Sequence, residues 1–452
     1  MKPRSELTAR LVFLAIAAAA FAAAGRAQSL PPEFVVEPIA GGWSLPVGVS
    51  FIDGHRLLVV EKAGKLWFVE DDVKRNLVLD LQTEVLNNGD RGLIDVAADP
   101  QFASNGYIYL LLAVDPTLDD RDDDLETFAR LVRYTTSYAQ GSLTADPSSR
   151  LDLLGDRWST GFPSCQYGHT VGTLRFLSDG SLVCTAGDGA HFEFTDAGGQ
   201  DPGCFGDGRF SLDQDLGAFR AQYLATLAGK VLRVDPATGL GLPDNPFFTG
   251  DAGDARSRVW LFGLRNPFKF TLAPGSGARE TLFLSDVGWN TWEEIDCGRG
   301  GENFGWPCYE GDAVEPSYQA ADALQFCTSG TFTPPILSWN HTDPGSLGFT
   351  GSCATGIEFY RGTSYPPVYH GALFFCDFTA GWMKVATLDA NQQITAVLPF
   401  ASDLHYPVDL TTDPASGDLV YIALDGSRVL RIRYLGPRSA AAASAPGPNS
   451  SR

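Results

Sequence analysis

Short apolar runs recur along the chain, and most follow a turn pair. Asp53-Gly54 precedes Leu57–Val60, Asn105-Gly106 precedes Tyr107–Leu111, and Asp179-Gly180 precedes Leu182–Cys184. Gly371 precedes Leu373–Phe375, and Gly417-Asp418 precedes Leu419–Ile422. Asn-Gly and Asp-Gly supply the positive φ angles of tight hairpin turns, and the runs are of strand length. Many runs are paired: Leu57–Glu61 with Lys65–Val69 across Ala63-Gly64, and Leu419–Leu424 with Val429–Arg433 across Asp425-Gly426. No amphipathic pattern exceeds about three helical turns, the best candidate being Asp213 to Leu227. Repeated antiparallel hairpins predict an all-β architecture, a β-propeller or a stack of sandwiches. Long loops loosen the period, so spacing alone does not fix the number of blades.

The ends of the chain read differently. Lys2, Arg4 and Arg10 lead into an apolar run, Leu11 to Ala24, and then Gly25-Arg26-Ala27. This order predicts a signal peptide over 1–27, cleaved after Ala27. Its apolar stretch is about 14 residues, short of the ~20 that span a bilayer. The expected mature chain is therefore exported, periplasmic or secreted, with no membrane span. Residues 28–435 form the expected single domain, and the small, polar, Pro-containing tail 436–452 is expected to be disordered.

The formal net charge is −21. It argues against a nucleic-acid or anionic-membrane partner, because both require clustered cations. Metal affinity is one reading of the acidity, and solubility outside the cytoplasm is the simpler one. An even count of eight cysteines in an exported chain suggests disulfides. Cys308 and Cys327 bracket a loop and are the first expected pair. Cys184 and Cys376 lie in apolar runs and fit buried thiols. No CxxC pair suggests zinc.

Four segments carry more specific information. The first is Asp90-Arg91-Gly92-Leu93-Ile94-Asp95, followed by Asp99-Pro100-Gln101-Phe102 and Asn105-Gly106-Tyr107. The second is Gly168-His169-Thr170-Val171-Gly172 with Gly187-Asp188-Gly189 beyond it. The third is Leu227-Ala228-Gly229-Lys230-Val231-Leu232-Arg233, leading to Gly263-Leu264-Arg265-Asn266-Pro267. The fourth is Ser285-Asp286-Val287-Gly288-Trp289-Asn290, then Glu293-Glu294-Ile295 and Asn303-Phe304-Gly305-Trp306-Pro307. In this order they resemble the glucose/sorbosone dehydrogenases, a family that includes aldose dehydrogenases and hedgehog-interacting-protein-like chains. The resemblance runs from about Leu45 to Tyr434. It implies a six-bladed β-propeller of four-stranded antiparallel blades, with an active site at the top of the central channel.

The same resemblance implies oxidation of an aldose sugar at its anomeric carbon, with pyrroloquinoline quinone (PQQ) and calcium as cofactors. Such a reaction needs a base, and histidine titrates near neutrality. His169, one of six histidines, matches the family base. Asp188 matches the carboxylate that orients it, and such a partner fixes the tautomer and stabilises the charged ring. Taken alone, His169 would read as a loop histidine capping a strand end. Arg265 matches the arginine beside the quinone carbonyls, where a fixed cation stabilises developing negative charge, and Asn266 is its neighbour. The family's cofactor-polarising calcium uses two consecutive backbone carbonyls, which fall on Gly288 and Trp289. A second, structural calcium uses a glutamate and a downstream carbonyl, Glu294 and Phe304; oxygen-rich sets of this kind suit calcium.

The chain also departs from the family. The segments Asp377–Trp382 and Leu404–Asp409 lack the Lys and Arg side chains that hold the three PQQ carboxylates in glucose dehydrogenases. Asp90 stands where some members have a sugar-contacting glutamine, and Val287 stands where many have another. Asp90, Arg91 and His405, with Arg265 and Asn266, are therefore the expected cofactor contacts. A small sugar is the expected substrate, and the electron acceptor is left unspecified. The competing reading is a redox-inactive propeller that binds a glycan or a protein through its top face. A hydrolase has less support, since no G-x-S-x-G elbow surrounds Ser164.

Overall fold

The computed structural model of the chain describes residues 28–119, 121–275 and 280–436. The expected signal peptide, 1–27, and all but Gly436 of the expected tail, 436–452, lie outside the described residues. The rest is a six-bladed propeller of antiparallel sheets. The innermost strands are Pro46–Phe51, Leu93–Ala98, Val171–Phe176, Pro267–Leu272, Ala354–Phe359 and Pro407–Thr412. Each packs on the inner strands of both neighbouring blades, which closes the ring. The last blade takes its outer strand from the start of the domain: Phe34–Pro38 pairs antiparallel with Arg428–Tyr434, Phe34 opposite Tyr434. Closure of this kind ties the last blade to the start of the domain, and a radial array of blades keeps only short, protected edges.

The hairpins expected from the turn pairs are present as Arg56–Glu61 with Lys65–Glu70 and Leu419–Ala423 with Arg428–Tyr434. The expected helix over Asp213 to Leu227 is corrected: that stretch holds only short 3-10 turns, Leu212–Gln214 and Gly217–Ala221. The reason is tertiary. Arg220 turns inward and donates to the carbonyls of Asp188 and Gly189, at 2.9 and 2.8 Å, which is incompatible with a free amphipathic helix. The Cys308–Cys327 bridge is present, and a second joins Cys165 to Cys204. Cys184 and Cys376 are buried thiols.

Apolar side chains fill the spaces between blades, but the axis is polar. Lys269, almost fully buried, lies 3.7 Å from Asp95 and 3.5 Å from Asp409. Arg175 joins both carboxylates at 3.3 and 3.9 Å. Asp95 also accepts from Thr173 Oγ1 (2.8 Å), and Asp409 accepts the Val49 N–H (3.1 Å). Glu358 accepts from Thr271 (2.9 Å) and Thr412 (3.4 Å). These residues come from all six inner strands. Removing one member of a buried ion cluster leaves uncompensated charge. Lys269→Met is therefore expected to lower stability by about 3–5 kcal/mol, read as an earlier urea-unfolding midpoint.

Candidate active site

The loops leading into the inner strands meet those joining the second and third strands of the blades on one face of the ring. Leu93 donates to Lys62, Asp90 to Tyr167 and Asp188 to Arg265, all backbone to backbone. His169 stands directly before the inner strand of the third blade, with a left-handed φ of 51°. Its backbone N–H is accepted by Asp90 Oδ2 at 3.1 Å. Asp188 lies two residues beyond the second strand of the same blade. Gly187 permits the approach, since a Cβ there would lie 2.4 Å from the His169 carbonyl oxygen.

The two side chains meet at 2.8 Å, His169 Nδ1 to Asp188 Oδ1. The second carboxylate oxygen accepts from Trp306 Nε1 at 2.7 Å, and Oδ1 also accepts the Ala190 N–H at 3.0 Å. Burial alone would raise the Asp188 carboxyl. The His169 ring, the Arg265 guanidinium and the Ala190 N–H outweigh it and hold the group below the usual carboxylate range. An ionised Asp188 keeps a proton on Nδ1 and leaves Nε2 as the basic nitrogen. Among the described residues, Nε2 has no hydrogen-bond partner.

Arg265 adjoins this dyad. Its guanidinium carbon lies 5.4 Å from the centre of the Trp306 ring. Nη1 donates to the carbonyls of Val287 (2.9 Å) and Gly288 (2.5 Å), and Nε is buried without a partner. The backbone N–H groups of Arg265 and Asn266 both donate to Asp286, at 2.8 and 2.6 Å. His169, Asp188, Arg265, Asn266 and the Gly288-Trp289 loop are thus one contiguous assembly.

A cluster of carboxylates lies behind it. One oxygen each of Asp286, Glu294 and Asp296 lie within 4.8 Å of one another. Asp286 opposes Glu294 across the strand pair, and Asp296 follows two residues later on the same face. Among the described residues, both oxygens of Asp296 are buried without a hydrogen-bond partner, and Glu294 accepts only the Gly311 N–H, at 2.9 Å. Burial pushes the Asp286 carboxyl up to about 7 against the pull of the Arg265 and Asn266 N–H groups. Burial and mutual repulsion push Glu294 and Asp296 up as well. Buried carboxylates of this kind require a proton or a cation, so the donor set fits a hard divalent metal.

A family profile described as glucose/sorbosone dehydrogenase matches residues 43–430, nearly the whole ring. The chain belongs to the glucose/sorbosone dehydrogenase family. Among curated members it is 26% identical to the HIPL2 protein of Arabidopsis thaliana over 85% of this chain and 58% of that protein. It thus spans little more than half the length of that relative. It is 24% identical to the aldose sugar dehydrogenase YliI of Escherichia coli K12, over 74% of this chain and 76% of that one. Among solved structures, the PQQ-bound aldose sugar dehydrogenase of Streptomyces coelicolor aligns at 20% identity. Its TM-score is 0.60, covering 90% of this chain and 99% of that one. At that identity the likeness establishes the shared fold.

The remaining expected site residues of this family member are placed as follows. Arg91 is fully buried, and its guanidinium donates to Ser164 Oγ (2.9 Å), to Asn88 Oδ1 and to the carbonyls of Asp124, Leu125, Ser164 and Gln166. All three guanidinium nitrogens are engaged in these contacts, and they tie the loops together. Asp90 caps the His169 backbone. His405 leads into the last inner strand and lies 3.3 Å from Asp425. Phe304 packs its ring into the core between the third and fourth blades, and Glu294 has the two acidic partners Asp286 and Asp296. Those partners, and the Trp306 contact to Asp188, escape a sequence reading, because they depend on strand register and on a long loop excursion.

The folded pKa values in the carboxylate cluster lie above those of the unfolded chain, which are ~4. The metal-free fold therefore holds protons that the unfolded chain releases. The contribution of these protonated carboxyls to stability is fully present below ~4 and is lost as pH rises through about 7 for Asp286. In EDTA, the Tm is expected to fall by several degrees between mildly acidic and mildly alkaline buffer. CaCl2 should remove most of that slope, and Asp296→Asn should flatten it without metal. Scanning fluorimetry across pH checks all three.

Proposed function

We propose that this chain oxidises an aldose at its anomeric carbon, with PQQ and calcium as cofactors. The observation that carries the reading is the His169–Asp188 dyad, backed by Trp306 and set beside Arg265. His169 Nε2 takes the proton from the anomeric hydroxyl as the C1–H hydride departs, and the product is a lactone. Asp188 orients the ring and stabilises the imidazolium that forms. Bound PQQ would supply the hydride acceptor. Arg265 would supply a fixed cation beside that acceptor, in a site where burial strengthens the interaction. The Gly288 and Trp289 carbonyls are the proposed ligands of the cofactor-side calcium, with Asn266 alongside. Glu294, with Asp286 and Asp296, is the proposed core of the second calcium site. Export is part of the same reading, and the disulfides are compatible with an oxidising compartment.

The missing cationic anchors support a second reading, a propeller that binds a glycan or a protein without redox chemistry. The Asp377 carboxylate, on the same face, is taken by Trp339, Thr379, Ala380 and Cys353. Lys384 stacks over Phe349 and Trp382, at 4.2 and 4.9 Å. His405 is paired with an aspartate. A trianionic quinone would find few free cations here beyond Arg265.

Reconstitution separates the two. Purified protein with PQQ and CaCl2 is expected to reduce an artificial dye in the presence of aldoses. His169→Ala should lower turnover by about 10²–10⁴-fold while the chain still folds, as read by circular dichroism. Absence of both turnover and PQQ binding by titration would leave the binding reading in place. Full activity in His169→Ala would remove the base assignment.

A further inference from the structure

The loop that carries the proposed calcium carbonyls is held from behind by two buried glutamates. A single oxygen of Glu310, Oε1, accepts the backbone N–H groups of Trp289 (2.6 Å), Asn290 (2.8 Å), Thr291 (2.9 Å) and Trp292 (3.2 Å). Glu293 Oε2 accepts the Gly288 N–H (3.2 Å) and the Ala354 N–H of the next blade (2.7 Å). Its other oxygen meets His341 Nε2 at 2.9 Å. Five consecutive N–H groups, 288 to 292, are therefore directed at two carboxylates.

Peptide planarity converts this into a statement about the carbonyls. In a trans peptide the C=O of one residue points opposite to the N–H of the next. The Trp289 N–H aimed at Glu310 turns the Gly288 carbonyl away from Glu310, and the Asn290 N–H does the same for Trp289. The Gly288 N–H aimed at Glu293 turns the Val287 carbonyl away likewise. The Val287 and Gly288 carbonyls meet the Arg265 guanidinium on the opposite side. Gly288 itself is required by the tight turn, since a Cβ there would lie 1.6 Å from the Trp292 carbonyl oxygen.

Glu310 is delivered by the excursion between the third and fourth strands of the blade. It ends the two-residue strand Tyr309–Glu310, paired with Ala313–Val314 and tied down by Cys308–Cys327. The same excursion brings Trp306 to Asp188.

We propose that Glu310, assisted by Glu293, is a positioning residue that aligns the Gly288 and Trp289 carbonyls for a divalent cation. It does so by collecting the loop's N–H groups on the far side, without touching the metal. This rests on the calcium reading above. The role is one of acceptor geometry, so a neutral acceptor of the same length should preserve it and a shortened carboxylate should not. Glutamine at this position is therefore expected to outperform aspartate; a purely electrostatic role predicts the reverse order.

The test uses the full mature chain with Asp296→Asn, which disables the carboxylate cluster, and carries Glu310→Gln, Glu310→Asp or Glu310→Ala. Calorimetric titration with CaCl2 is expected to show affinity close to the parent for Gln. Losses of about tenfold or more are expected for Asp and Ala, the range seen when supporting contacts of a metal ligand are removed. Metal-free hydrogen exchange of the segment spanning 287–293 should accelerate in the Asp and Ala chains and stay near the parent in the Gln chain. Unchanged affinity and exchange in the Asp chain, or a Gln chain as weak as Asp, overturns the proposal, even if the Ala chain does not fold. No CaCl2 binding by the Asp296→Asn parent overturns the calcium assignment, and this inference with it. The exchange arm still reports whether Glu310 holds the loop.

Discussion

Asp95 and Asp409 come from the second and sixth blades, which flank the first, and both reach the axis. There they share Lys269 and Arg175. Each charge would be costly to bury alone, because a low-dielectric interior offers no substitute for water. Together, and with Thr173, the Val49 N–H, Glu358, Thr271 and Thr412, they form a connected polar knot to which every inner strand contributes. Apolar packing between blades is interchangeable in kind, whereas this knot is a specific set of partners. It fixes how far each blade advances toward the axis, and so where the loops at the strand starts come to rest. The relative placement of His169, Arg265 and the 287–292 loop inherits that constraint.

The second level of organisation is one long excursion from the fourth blade. Residues 303–315 supply Trp306 to Asp188 and Glu310 to the 289–292 backbone, and Gly311 to Glu294. Asn303 exchanges side-chain hydrogen bonds with Gln222, which also donates to the Trp306 carbonyl. The base, the carbonyl loop and the acidic cluster are therefore supported from a single strip of chain, itself cross-linked by Cys308–Cys327. The unusual density of backbone-to-carboxylate contacts here reflects a division of labour, in which side chains arrange peptide groups and peptide groups present the ligand atoms.

Much of this was legible in the sequence, and the limits have physical causes. Turn pairs announce hairpins because positive φ is a local property, so Asp53-Gly54 and Gly417-Asp418 located their strands well. The His169, Asp188 and Arg265 assembly was legible because the family motifs carry it, although their sequence separation conceals their contact. Asp286, Glu294 and Asp296 became a cluster only once strand register was known. Glu310 gave no signal at all, since its partners are backbone N–H groups that any residue provides. Arg91 misled for the opposite reason: a charged residue in a motif suggests a ligand, yet its donors serve the loop carbonyls of Asp124, Leu125, Ser164 and Gln166. The Asp213–Leu227 stretch misled because the inward pull on Arg220 is tertiary.

The shared last blade has a consequence for biogenesis. Its outer strand, Phe34–Pro38, is made long before its partner, Arg428–Tyr434; the Glu37–Arg433 ion pair alone spans 396 residues. The cost of closing so long a loop grows only logarithmically with length, so the burden is one of waiting. Until the final strand emerges, Phe34 lacks the cage of Tyr365, Tyr369, Phe400 and Tyr434 that surrounds it in the finished ring. An early-made, sticky β-edge must then stay unpaired until the strand that covers it has been added, so the ring can close only once its sixth blade is complete.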